Sequence, residues 1–126
     1  MKTASELLEA YLNNVGSPKI SAAQFSADGV LELPWVGTHA QGPEAVEKLL
    51  AGLLSRVPAF RFTDLTYFIK TPDKVAAEYR VEAPVPSTGK IYRQTYVGVL
   101  HAENGKIKLL REALDTAAAA KAFSKD

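Results

Sequence analysis

Glu112 is the residue whose surroundings point most directly to chemistry. It stands in the run Leu109-Leu110-Arg111-Glu112-Ala113-Leu114, so on a strand it shares a face with Leu110 and Leu114. A carboxylate set between inward leucines is desolvated, and desolvation raises its pKa toward neutrality. Such a group takes a proton from carbon or nitrogen near pH 7 and gives it back. The same placement also fits a structural carboxylate satisfied by tyrosine and glutamine donors, and the sequence leaves both roles open. Donors of that kind recur at Tyr92, Gln94 and Tyr96, whose spacing of two puts them on one strand face. They suit the orienting of a polar group on a small apolar ligand, or the filling of a barrel-like interior. His39 lies between a strand and a helix, where it can act as a second acid/base, contact a ligand, or simply meet solvent. Trp35, with Leu31 and Leu33, offers either a pocket wall or ordinary core packing.

Composition excludes several other chemistries. The 126 residues contain no cysteine, which removes disulfides, thiolate zinc sites and cysteine nucleophiles. Two histidines without metalloprotease spacing predict no metal centre, and no cofactor is expected. Fifteen basic against fourteen acidic side chains leave a net charge of +1, which gives no footprint for nucleic acid and no polybasic membrane anchor. Residues 1–10 lack the apolar stretch of a signal peptide, and no apolar run approaches the ~20 residues of a membrane span. The expectation is one soluble, cytoplasmic domain covering residues 1–126.

The elements that must hold these residues follow from periodicity. Thr3 and Glu6 have capping-box spacing, and Leu7, Leu8, Tyr11, Leu12 and Val15 recur on one helical face before Gly16-Ser17-Pro18. A short helix is expected over residues 20–24, then a strand over 25–36 containing turn chemistry at Asp28-Gly29. Gly42-Pro43-Glu44 starts a second amphipathic helix with Val46, Leu49, Leu50, Leu53, Leu54 and Val57 on its apolar stripe; Pro58 stops it. Beyond residue 59 the period changes to two. Strands are expected over 60–70, 74–85, 90–102 and 106–114, then an alanine-rich helix over 116–123. Their short connections force antiparallel neighbours. The fold class is α+β, with helices packed on one face of a curved antiparallel sheet.

The turn at Glu103-Asn104-Gly105 decides which side chains meet. A two-residue type I′ turn would put Glu112 with Val97 and Val99, whereas a three-residue turn puts it with Tyr92, Gln94 and Tyr96. The second register sorts the residues better and is preferred. It leaves Thr95, Val97, Val99, Ile107 and Leu109 on the other face, with Arg93 and Arg111. Because the helices can cover only one face, this second apolar face predicts a homodimer. Glu78, Arg80 and Glu82 share a strand face that reads as solvated and ion-paired. Asp64 shares a face with Phe60, Phe62 and Phe68, but its orientation is ambiguous; without a second inward carboxylate beside Glu112, epoxide hydrolysis is not expected.

This layout resembles the NTF2-like superfamily. The segment Gly89-Lys90-Ile91-Tyr92-Arg93-Gln94-Thr95-Tyr96-Val97, then Asn104-Gly105-Lys106-Ile107 and Arg111-Glu112-Ala113-Leu114-Asp115, is similar to the SnoaL-like branch. The strands of that branch read roughly G-(R/K)-x-Y-x-x-x-Y-V, D-G-K-I and R-(D/E)-Y-(F/W)-(D/N). The resemblance implies an NTF2-like cone with a deep pocket between sheet and helices, open near residues 36–41. It sets Glu112 where SnoaL-like cyclases and phenazine-biosynthesis A/B-type proteins place an acid/base carboxylate. It sets Tyr11 where ketosteroid isomerases carry an oxyanion-donating tyrosine. Leu33 falls where those isomerases keep a general-base aspartate, which argues against their usual chemistry, and Ala113 departs from the family's aromatic. The expected activity is cofactor-free proton transfer on a small apolar or aromatic molecule, such as cyclisation or isomerisation. Two rivals are a non-catalytic binder with the same pocket and an NTF2-type dimeric interaction module.

Overall fold

The computed structural model describes residues 1–125. Thr3 opens the first helix: its side chain accepts from the Glu6 amide while the Glu6 carboxylate accepts from the Thr3 amide, the reciprocal box that the spacing predicts. Helix α1 (Ala4–Asn13) then buries Leu7, Leu8, Tyr11 and Leu12, each contributing roughly 1.5–3 kcal/mol of apolar burial. The short α2 (Pro18–Ala22) begins at Pro18 rather than at Ile20, because proline suits a first helical turn.

Strand β1 (Phe25–Leu33) runs through Asp28-Gly29 without turning. A Cβ at Gly29 would lie 2.3 Å from the Ile107 carbonyl oxygen, so only glycine permits that approach. The strand ends three residues earlier than expected. Pro34, Trp35 and Val36 form a single 3-10 turn closed by Gly37 at φ 70°, and the chain returns as β2 (Thr38–Gln41), antiparallel to β1. Nothing in the sequence pattern announces this four-residue strand. Helix α3 (Pro43–Arg56) buries Val46 and Leu50 and packs Leu49, Leu53 and Leu54 against the core.

The meander has the expected boundaries to within two residues: β3 (Phe62–Lys70), β4 (Lys74–Val85), β5 (Lys90–Glu103) and β6 (Lys106–Leu114). Helix α4 (Thr116–Phe123) follows, with Asp115 as its N-cap. The six strands form one curved, unclosed sheet in the order β2-β1-β6-β5-β4-β3. The architecture is α+β as expected, but the sheet is mixed, because β1 and β6 run parallel. The meander starts at the far edge and steps back toward β1, so the direction of its last strand is set by closure of the whole sheet and by no local turn.

The last hairpin reaches the preferred register by a different device. Asn104 (φ 53°) and Gly105 (φ 74°) form a two-residue turn with Glu103 opposite Lys106, both centres left-handed as a type I′ turn requires. The register then slips by one, since Ala102 faces Ile107 but His101 faces Leu109. Lys108 is the extra residue of a β-bulge. Gly98 therefore faces Glu112, and Leu100 faces Leu110. The bulge also corrects Ile107, which is fully buried on the inner face instead of lying on the outer one.

Candidate active site

The inner face of the sheet and the helices enclose a cavity of about 240 Å³. Tyr11, Leu33, Tyr92, Tyr96 and Glu112 all line it, so the structure gathers five of the residues singled out in the sequence. Phe60, Phe62 and leucines of β1 and α3 complete an apolar wall.

Glu112 is 3% exposed. Burial pushes its carboxyl up from the ordinary glutamate value to about 7, against the opposing effect of a hydrogen bond from Tyr79. The Tyr79 hydroxyl donates to Oε2 of Glu112. Its other oxygen has no protein partner among the described residues, yet it is not sealed away, which leaves it facing the cavity. The Tyr11 hydroxyl is in the same position: it lines the cavity and bonds no protein group. Burial, and then the charge of Glu112, hold Tyr11 well above the usual tyrosine range, so it stays a neutral donor.

Tyr79 reaches Glu112 across an intervening strand. It lies on β4 opposite Tyr96, whereas Glu112 lies on β6, with Gly98 of β5 between Ala77 and Glu112. The hydroxyl passes over Gly98 so closely that a Cβ there would stand 2.1 Å from it. The missing side chain at Gly98 is thus what lets the bond form. The sequence pattern places Tyr79 inward but gives no sign of this diagonal reach. Phe62 holds the ring from the side, edge-on at 5.1 Å between centroids.

Tyr92 and Tyr96 share a hydroxyl–hydroxyl bond of 2.9 Å, and Gln94 donates to the Tyr92 hydroxyl at 3.2 Å. Gln94 itself does not line the cavity. Its amide bridges to the backbone of Asp115 at 2.8 Å in both directions, tying the start of α4 to β5. It holds the Tyr92 hydroxyl from behind the wall. Two other residues lie away from the expected place. Trp35 is 67% exposed in the 3-10 turn and leaves the wall to Val36 and Thr38. His39 is exposed on β2 because strand alternation turns Thr38 and Ala40 inward in its stead. Asp64 sits at φ 58° in a register break of β3 and is exposed, so it adds no second carboxylate to the cavity. No cluster of metal-ligating side chains occurs among the described residues.

A curved sheet with an apolar cavity capped by helices defines the class, and comparison with known proteins gives the family. The SnoaL-like domain model matches residues 8–110, and the chain belongs to that family. The match ends before Glu112, so the carboxylate is read from geometry. Solved structures of the same fold include a candidate isomerase from Bacillus subtilis, 22% identical over 98% of this chain and 94% of that one, with a TM-score of 0.84. A phenazine biosynthesis-related protein from Pseudomonas aeruginosa is 18% identical over 98% and 86%, with a TM-score of 0.81. A candidate polyketide cyclase from Pseudomonas putida KT2440 is 17% identical over 98% and 100%, with a TM-score of 0.85. These likenesses establish the NTF2-like fold. No curated protein matches the chain.

Proposed function

We propose that this protein is a cofactor-free isomerase or cyclase that uses Glu112 to move protons on a small, apolar, cyclic substrate. The observation that carries this reading is a carboxyl near pKa 7, one oxygen held by Tyr79 and the other facing an apolar cavity. Near neutral pH both protonation states are populated, as acid/base work requires. Glu112 removes a proton from carbon next to a carbonyl, and the C–H electron pair becomes that of the enolate. The Tyr11 hydroxyl donates to the enolate oxygen. Glu112 returns its proton to a different carbon in an isomerisation. In a cyclisation the enolate carbon attacks a second carbonyl, and the new alkoxide takes the proton from Glu112.

The test is deuterium exchange into β-tetralone in heavy water. Exchange above the buffer rate that Glu112→Gln abolishes supports the reading. Binding without exchange would make the protein a non-catalytic binder, and exchange unchanged in Glu112→Gln would remove Glu112 from the chemistry.

The outer sheet face suits a second copy of the chain. Val97 and Val99 are 39% and 40% exposed and are flanked by Ala76 and Ala113 on neighbouring strands. Glu78, Arg80, Glu82, Arg93 and Arg111 rim that strip, the apolar centre and charged border of a subunit interface. No described helix is long and apolar enough to cross a membrane.

A further inference from the structure

Arg56 is the one charged side chain besides Glu112 on the cavity wall, among the described residues. It is the last residue of α3, and its guanidinium stands 5.2 Å from the ring centroid of Phe123, the last residue of α4. Phe123 in turn lies 5.4 Å from the Tyr92 ring, so the cation is held over the Tyr92 side of the cavity. Its charge reaches far enough to favour the ionised Tyr92 hydroxyl, although burial outweighs it. None of the ion pairs among the described residues includes Arg56. A planar guanidinium over an aromatic ring, with no acidic partner among the described residues, keeps its donor fork free for a carboxylate.

We infer that the ligand of this cavity is a ring-bearing carboxylic acid, its apolar body among the aromatic side chains and its carboxylate on Arg56. The inference rests on the proposed function for the site and adds the substrate class. Arg56 is the one cation on the cavity wall among the described residues, and an anionic ligand neutralises it. Arg56 is exposed, so its attraction is screened by salt.

Calorimetric titration with a naphthoate and with the uncharged naphthalenemethanol of the same shape tests this. The wild-type protein is expected to bind the naphthoate about tenfold more tightly, the yield of one charge-assisted contact to an exposed, salt-screened guanidinium. Arg56→Gln should erase that preference while sparing the alcohol, Arg56→Lys should retain part of it, and added salt should weaken only the naphthoate. Equal binding of both probes, or a preference that survives Arg56→Gln, overturns the inference while leaving proton transfer by Glu112 untouched. Binding of neither probe also overturns it, and β-tetralone exchange then decides the proposed function separately.

Discussion

Replacing Gly98 with alanine perturbs the acid/base group through a residue that touches it. The glycine has no left-handed φ, so alanine meets no backbone strain there. The whole effect falls on Tyr79, whose hydroxyl would stand 2.1 Å from the new Cβ and whose Cζ would stand 3.0 Å away. Ordinary contact begins near 3.4 Å, so the hydroxyl must move from 2.1 to at least 3.4 Å, a retreat of about 1.3 Å. A ring packed between Phe62 and Tyr96 has little room for that. Overpacking of this kind costs about 1–3 kcal/mol, and a buried group losing its donor costs about 1–3 kcal/mol; with partial relief of one by the other, about 2–4 kcal/mol is expected. The Tyr79 bond holds the Glu112 carboxyl down, so its loss should raise that pKa further above about 7. Urea unfolding measures the first effect and the carboxyl stretch of Glu112 in the infrared the second. Tyr79→Phe removes the hydroxyl without adding bulk, so it should also raise the pKa, at a cost of about 1–2 kcal/mol. Combined with Gly98→Ala, it should be less destabilising than the sum of the two by about 1 kcal/mol or more, since the colliding atom is gone. A Gly98→Ala protein as stable as wild type, with an unmoved Glu112 titration, would show that Gly98 does not hold open the path from Tyr79 to Glu112.

Three other outcomes are expected. The raised pKa of Glu112 means that the folded state binds its proton more tightly than the unfolded chain does. Stability is then greatest below the ordinary glutamate value and falls as pH rises to about 7, by up to about 3 kcal/mol. Glu112→Gln should abolish that slope in urea titrations across pH 4 to 8 (roughly the window set by those two pKa values) and should be the more stable protein at its upper end. Thr3→Ala removes the α1 cap and should cost about 1 kcal/mol in thermal or urea unfolding, with no change in ligand binding. Val97→Glu on the outer face should turn a dimer into a monomer by light scattering, and a wild-type monomer at micromolar concentration would contradict the interface.

Much of this arrangement was legible because local patterns and tertiary needs agree. The Thr3–Glu6 box, the Pro43 helix start, and the alternation of Tyr92, Gln94 and Tyr96 each carry their own signal. Where the reading departed, the deciding force acted at a distance or in too few residues. β2 has four residues and one buried side chain, too little for a period to register. The bulge at Lys108 is set by the need to bury Ile107 and Leu110 together, so the expected register is reached through a two-residue turn and not a three-residue one. Strand alternation continued past Pro34 makes Trp35 a pocket-wall or core residue, but the chain there turns outward. Tyr79 alternates with the solvated Glu78 and Arg80, but its partnership with Glu112, two strands away, depends on the gap at Gly98 on the strand between them. The glycine between Tyr96-Val97 and Val99-Leu100 was the one available hint.

The central claim is that Glu112 exchanges its proton near neutral pH inside an apolar cavity. Carbon-13 labelling of glutamate side chains, with Glu112→Gln to assign the resonance, follows that titration directly. The expected midpoint is near 7, shifted upward in Tyr79→Phe. A midpoint in the ordinary carboxylate range, about 4.3 for a free glutamate, would contradict that claim.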